Sequence, residues 1–302
     1  FLRSFFYPIA FLRNVSKGES GMWNKIQRVF TFQMKQVRAN QRILLIFLLA
    51  AIFVFSNLQG VLDFSQDVGI PVTPWAFPHI TSDFICQLVL MAGAVALFCD
   101  APFKSEIQKY ILPRAGYIAW TAGQCMYIVV LSFLYILMIL LFSILPLLPN
   151  MGFQNGWGKI WGTLARYSVG SQYGIPFSVD DYVIGAYTPL QAMVLSFLLS
   201  WACAIWLGLM TYFLNYVTGK YVGTFLSAGF ILMDITVANE WLPWFYRISP
   251  VTLAQLQALK GSNSLYQVGL DYAFWFFGIS IVCLLAGCIM TPKFKVFRRE
   301  KE

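Results

Sequence analysis

Charge is scarce in this chain. Asp, Glu, Lys and Arg make up 11% of its 302 residues, and hydrophobic residues make up 59%. A soluble domain carries about 25% charged residues, so a soluble globular reading is excluded. Histidine is nearly absent, since His79 is alone. That leaves no Ser-His-Asp set and no His-Glu-x-x-His helix, and Gly-x-Ser-x-Gly is missing as well. His79 stands beside prolines at the edge of an apolar run, where a loop residue is the expected role. The six cysteines (Cys86, Cys99, Cys125, Cys203, Cys283 and Cys288) all fall inside apolar runs. None forms a Cys-x-x-Cys or other metal spacing, so they read as small core residues and the chain offers no metal site. Gly152 to Lys159 has the glycines and lysine of a phosphate loop, but the spacing fails and Ile160 replaces the required Ser or Thr. The sequence therefore supplies no catalytic residues and no cofactor site of its own. It starts without Met, which suggests a processed or partial gene product, and it lacks the ordered parts of a secretory signal peptide.

What is present is length in the apolar runs. A bilayer takes about 20 residues of helix, and six runs meet or approach that length: 43–62, 80–99, 117–145, 190–216, 221–238 and 270–290. The expected fold is all-α and membrane-embedded, with six spans. The short alternating segments of a β-barrel are absent. The expected organisation is a cytoplasmic segment 1–42, a transmembrane domain 43–290 and a basic cytoplasmic tail 291–302. Pro146 should end the third run. In the first segment, Phe1–Leu12 is aromatic-rich and suits a membrane surface. Trp23, Ile26, Phe30, Met34 and Val37 then recur at helical spacing with Lys25, Arg28, Lys35 and Arg38 between them. That pattern is a basic amphipathic helix for an anionic interface, with contact to a cytosolic partner as the alternative.

Lys and Arg positions set the orientation. Of the 21, eight precede the first run, three lie between the second and third, Lys220 lies between the fourth and fifth, and five are in the tail. Both termini are thus expected on the cytoplasmic side. The net charge of +8 becomes a topology signal, with no nucleic acid required. The sequon Asn14-Val-Ser16 falls on that same side and reads as chance.

Three connections hold more than linker chemistry. Asp100 to Arg114 is a polar island with Phe103, Ile107, Tyr110 and Ile111 on one helical face and Lys104, Ser105, Gln108 and Lys109 on the other. Asp100 suits an N-cap and Pro102 the first turn. A docking helix and a helix lying on lipid both fit this pattern. On the opposite side, Trp157, Ile160, Trp161, Leu164 and Tyr167 share a face, which suggests an interfacial helix with Trp at headgroup level. The segment 239–263, with Trp241-Leu-Pro-Trp-Phe-Tyr-Arg-Ile-Ser-Pro250, is too broken to span and suits re-entrant or surface-lying short helices. Asp83, like His79, stands at the outer end of the second run and Asp271 at the start of the last, which leaves Asp234 as the one charge set inside a run. It either faces a pathway or snorkels to the nearby interface.

The basic amphipathic helix, six runs, the polar island after the second and the aromatic segment before the last together resemble the ABC-2 type permease family. Phe98-Cys-Asp-Ala-Pro-Phe103 resembles that family's first cytoplasmic loop in bacterial peptide and drug exporters, and Arg247-Ile-Ser-Pro250 resembles the motif before its last span. The resemblance runs from Met22 onward, and the segment around Trp157 has no counterpart in it. It implies a membrane subunit of a bacterial exporter in the cell membrane, working with separate ABC ATPase subunits that carry ATP and Mg. It also implies a second copy of this chain or a related permease as partner. The first loop would be a coupling helix, which assigns contact with the ATPase to Asp100, Pro102, Phe103, Glu106, Ile107 and Tyr110. Asp234 is then a candidate for the pathway. The aromatic content suits an amphipathic or hydrophobic cargo, with a peptide as one form. A peptide sensor or immunity subunit without transport, and a membrane enzyme acting on lipid, are the competing classes.

Overall fold

The structure is a computed structural model. It describes residues 21–37, 40–103, 115–153, 156–218, 221–260 and 268–299, the last nine of these by backbone alone. Among the described residues the fold is all-helical, and the sole extended pairings are the isolated bridges Val72–Met151 and Lys260–Gly269.

Ten helices carry the architecture described here: α1 (Met22–Val37), α2 (Gln41–Val68), α3 (Ala76–Ser82), α4 (Phe84–Phe98), α5 (Tyr117–Ile144), α6 (Gly158–Arg166), α7 (Asp181–Ala186), α8 (Pro189–Thr218), α9 (Val222–Ala238) and α10 (Leu270–Arg299). Four segments are long and apolar enough to cross a membrane: α2, α5 with its short extension to Asn150, α8, and the Leu270–Met290 part of α10. The chain is therefore membrane-embedded. The helix α9, at 17 residues, is apolar and shorter.

Local chemistry fixes the ends of these helices. At the start of α2, Asn40 accepts from the Arg42 amide at 3.1 Å. At its end Gly69 takes φ +66°, and its amide and that of Ile70 close onto Gln66 and Ser65. Helix α5 stops at Ile144, one residue before a 3-10 turn that contains Pro146. Helix α8 begins at Pro189, and Gln191 reaches back to the Thr188 amide at 3.1 Å.

The second run departs from the sequence expectation of one continuous helix over 80–99. It is a pair, α3 and α4, bent by 86°. Asp83 causes the break. It adopts an extended backbone, its Oδ1 caps α4 by accepting from the Cys86 amide at 3.1 Å, and its Oδ2 accepts from the Ser178 amide at 3.3 Å. A carboxylate that binds two amides favours the kinked chain over a through-helix, whose interior would offer it neither.

Helix α8 is the central post. It packs on α3, α4, α5, α9 and α10. Small residues allow the close approaches. A Cβ on Gly208 would meet Ile128 at 2.7 Å and Phe98 at 2.8 Å, and one on Gly123 of α5 would meet Val29 of α1 at 2.7 Å. The amphipathic α1 therefore lies against α5, with Val29 and Gln33 buried and Trp23 outermost. The apolar face read from the sequence is rotated: Ile26, Phe30, Met34 and Val37 flank the buried line and do not form it. Segment 1–20 lies outside the described residues.

The opposite end is also more integrated than an interfacial reading predicts. Ile160, Trp161 and Leu164 of α6 are buried in the main core. The Trp161 indole donates to the Thr73 carbonyl at 3.1 Å and the Trp157 indole to the Tyr187 carbonyl at 3.0 Å, so neither needs a headgroup partner. His79 is not a loop residue. It sits in α3, 1% exposed, with its ring 4.9 Å from those of both Trp157 and Trp161. Tyr167 alone of the predicted face remains outside, at 66% exposure.

Candidate functional site

Helix α9 shows the spacing of a helix with one buried face. Gly223, Ser227, Ile231 and Asp234 recur at steps of four, four and three, and all are buried. Three of these four are polar or lack a side chain, so this face is built for hydrogen bonding and close approach to α8. The seam begins at Asn215, near the end of α8. Its Oδ1 accepts from the Gly223 amide at 2.7 Å. Its Nδ2 donates to the Ala101 carbonyl at 2.9 Å and to Thr224 Oγ1 at 3.3 Å. Thr224 in turn donates to the Cys99 carbonyl at 3.2 Å. One buried amide thus joins the end of α8, the start of α9 and the loop that leaves α4. A Cβ on Gly223 would meet the Thr211 carbonyl oxygen at 2.5 Å, so the two helices touch by backbone there. Further along, the Thr211 and Ser227 hydroxyls pair at 2.8 Å.

The loop that Asn215 holds is the start of the polar island. Asp100 forms an ion pair with Arg42, which also donates to Cys99 Sγ at 3.2 Å. Ala101 and Pro102 are buried, and the Phe103 ring meets Tyr127 of α5 edge-on at 4.9 Å. Residues 99–103 are turns, which differs from a helix capped by Asp100 with Pro102 in its first turn. The competing partners explain this: Arg42 takes the Asp100 carboxylate, and Asn215 takes the Ala101 carbonyl that a starting helix would use. Glu106, Ile107 and Tyr110 lie outside the described residues. Of the six positions assigned to coupling, Asp100, Pro102 and Phe103 are thus brought together against α2, α5 and α8.

At the other end of α9, Asp234 is 1% exposed. Thr252 Oγ1 donates to its Oδ1 at 2.6 Å and Gln255 Nε2 to its Oδ2 at 2.9 Å. Ser249 Oγ lies 2.9 Å from the same threonine hydroxyl. The carboxylate therefore does not snorkel. It clasps the segment that follows Arg247-Ile-Ser-Pro250, whose short 3-10 turns at Thr252–Ala254 and Leu256–Ala258 pack into the core. A broken backbone is tolerated among these helices because protein surrounds it. Lys260 closes the segment outward by pairing with Asp180 at 2.6 Å.

Sequence reasoning missed Arg42, Asn215, Thr224, Thr252 and Gln255. Asn215 had a signal, since it stands four residues after Thr211 in an otherwise apolar helix end. Thr252 and Gln255 had none short of the fold. Among the described residues no group of His, Cys, Asp and Glu can hold a metal ion. No family model matches this chain, and no curated protein or solved structure does either.

Proposed function

We propose that this chain is the membrane subunit of an ATP-driven exporter whose ATPase is a separate polypeptide. The observation that carries the reading is α9, which is hydrogen-bonded to the island loop at one end and to the Ser249–Gln255 segment at the other. Ten residues separate Thr224 from Asp234, about 15 Å along a helix. A displacement of the loop therefore has a rigid route to the far side of the bundle. In this reading an ATPase docks on the island, with Glu106, Ile107 and Tyr110 around the contact and Asp100, Pro102 and Phe103 fixing its root. ATP-driven closure pulls on Ala101 and Cys99. Asn215 and Thr224 pass the pull to α8 and α9, and Asp234 moves the outer segment. ATP supplies the different affinity for two states that any such switch requires.

Six spans complete the reading: the four long helices, the bent α3–α4 pair as one broken span, and α9 as a short one. An even number puts both termini on one side, and the basic residues assign that side to the cytoplasm. Single cysteines replacing Gln108 and Arg298 are expected to label only from the cytoplasmic face. A second copy of the chain or a related permease would complete the pathway, and the cargo is amphipathic or hydrophobic, a peptide among the candidates. The deciding experiment is affinity purification of the full chain from its native membrane. Recovery of an ABC ATPase with cargo-stimulated ATP turnover is the expected result. A co-purified ATPase whose turnover ignores cargo favours a sensor, and the absence of any ATPase overturns the proposal.

A further inference from the structure

After α9 the chain from Trp241 to Leu259 divides into two halves of opposite character. The second half, Ser249 to Leu259, is buried except at Gln257. The first half turns its large apolar side chains outward. Trp241 is 69% exposed and Trp244 49%, and Leu242 and Ile248 are exposed with them. Trp is highly buried on average, so two open indoles within four residues ask for a cover. The backbone beneath them is firmly held. The 3-10 turn Pro243–Arg247 packs on α9. The Tyr246 hydroxyl donates to the Ala258 carbonyl at 2.6 Å, and the Tyr272 hydroxyl of α10 donates to the Arg247 carbonyl at 3.1 Å. Protein thus grips one side of the segment and leaves the Trp side open.

The position of the segment says what covers that side. It follows the last turn of α9, and its Arg247 is tied to the first turn of α10, so it stands at the ends of two apolar helices. For α10, which is long enough to cross a bilayer, that end is at headgroup depth. The open apolar surface continues along both helices, through Phe225 and Leu232 of α9 and Trp275 and Ile279 of α10. In a membrane-embedded chain such residues face acyl chains. Charge appears at the edges of the patch, where Glu240 and Arg247 are exposed. Indole rings favour this boundary because each joins an apolar body to an N–H donor.

We infer that Trp241, Leu242, Trp244 and Ile248 form a foot that lies in the headgroup boundary of the bilayer, with phospholipid as its occupant. The rings reach the upper acyl chains, and Glu240 and Arg247 stay among the headgroups. The inference rests on membrane embedding and does not depend on an ATPase partner. A second copy of the chain or a bound peptide would cover the same side chains and shut lipid out.

The test uses the full chain in phosphatidylcholine nanodiscs. Fluorotryptophan is incorporated at Trp241 alone and, in a second sample, at Trp244 alone, so each gives one fluorine resonance without a change of residue type. Broadening of each resonance is measured with three paramagnetic probes: a lipid nitroxide near the ester, a lipid nitroxide near the acyl methyl end, and a gadolinium chelate in the water. Both resonances are expected to broaden several-fold more with the nitroxide near the ester than with either other probe. Strongest broadening by the chelate means that water covers the face, and strongest broadening by the nitroxide near the methyl end places the rings in the middle of the bilayer. Protection from all three probes means that protein covers them. Each of these three results overturns the inference.

Discussion

The two ends of α9 are held by different physics. At the loop end the anchoring ion pair, Arg42–Asp100, is 32% and 55% exposed on its two side chains. A pair that open to water contributes about 0–1 kcal/mol and is screened by salt. The buried Asn215 amide supplies the firmer part of the grip. At the far end Asp234 is fully enclosed, and both carboxylate oxygens are taken by donors from one short segment. A buried hydrogen bond to a charged group contributes about 1.5–3 kcal/mol, and leaving its partner unsatisfied costs more. Buried hydrogen bonds thus carry both attachments, through Asn215 at the loop end and Asp234 at the far end, and the exposed ion pair adds little.

Breaking the tighter end gives the largest expected effect. Asp234→Ala leaves Thr252 and Gln255 facing an apolar gap and is expected to lower stability by about 2–4 kcal/mol. Thermal unfolding in detergent measures this, and proteolysis should open the chain around 249–256. Asp234→Asn sharpens the comparison. Its carbonyl still accepts from Gln255, and the Thr252 hydroxyl can rotate to accept from the new amide, so the expected loss is under about 1.5 kcal/mol. If Asn proves as damaging as Ala, the charge itself is required and the clasp is not enough.

The middle effect belongs to Asn215. Asn215→Ala removes three hydrogen bonds that join α8, α9 and the loop, and leaves the Gly223 amide and Ala101 carbonyl without this partner. A loss of about 2–3 kcal/mol is expected. The smallest effect belongs to the exposed pair. Arg42→Gln should shift stability by no more than about 1 kcal/mol, and raising salt should remove most of the difference between variant and parent. A salt-insensitive loss above 2 kcal/mol would put Arg42 on the rigid side of the comparison.

The long apolar helices were legible because a bilayer demands length and hydrophobicity together. Runs 43–62, 117–145, 190–216 and 270–290 each lie within a long helix. Pro146 was legible as a stop for the same local reason. What escaped the sequence depends on partners far along the chain. Asp83 looks like a polar end residue until Ser178, 95 positions away, gives its second oxygen a donor. His79 looks like a loop residue until Trp157 and Trp161 enclose it. Phe103 has the spacing of an outward anchor, yet Tyr127 takes its ring inward. Asp234 fell between these cases. Its cost in an apolar run marked it, and the donors that answer that cost come from Thr252 and Gln255.

End-to-end linkage through α9 is tested most directly by hydrogen exchange on the full chain in nanodiscs, comparing the parent with Asn215→Ala. The account predicts faster exchange at the loop residues 99–103 and also at 249–256, which α9 joins to the Asn215–Thr224 contact over about 15 Å. Faster exchange confined to 99–103 and the α8–α9 junction, with 249–256 unchanged, would contradict it.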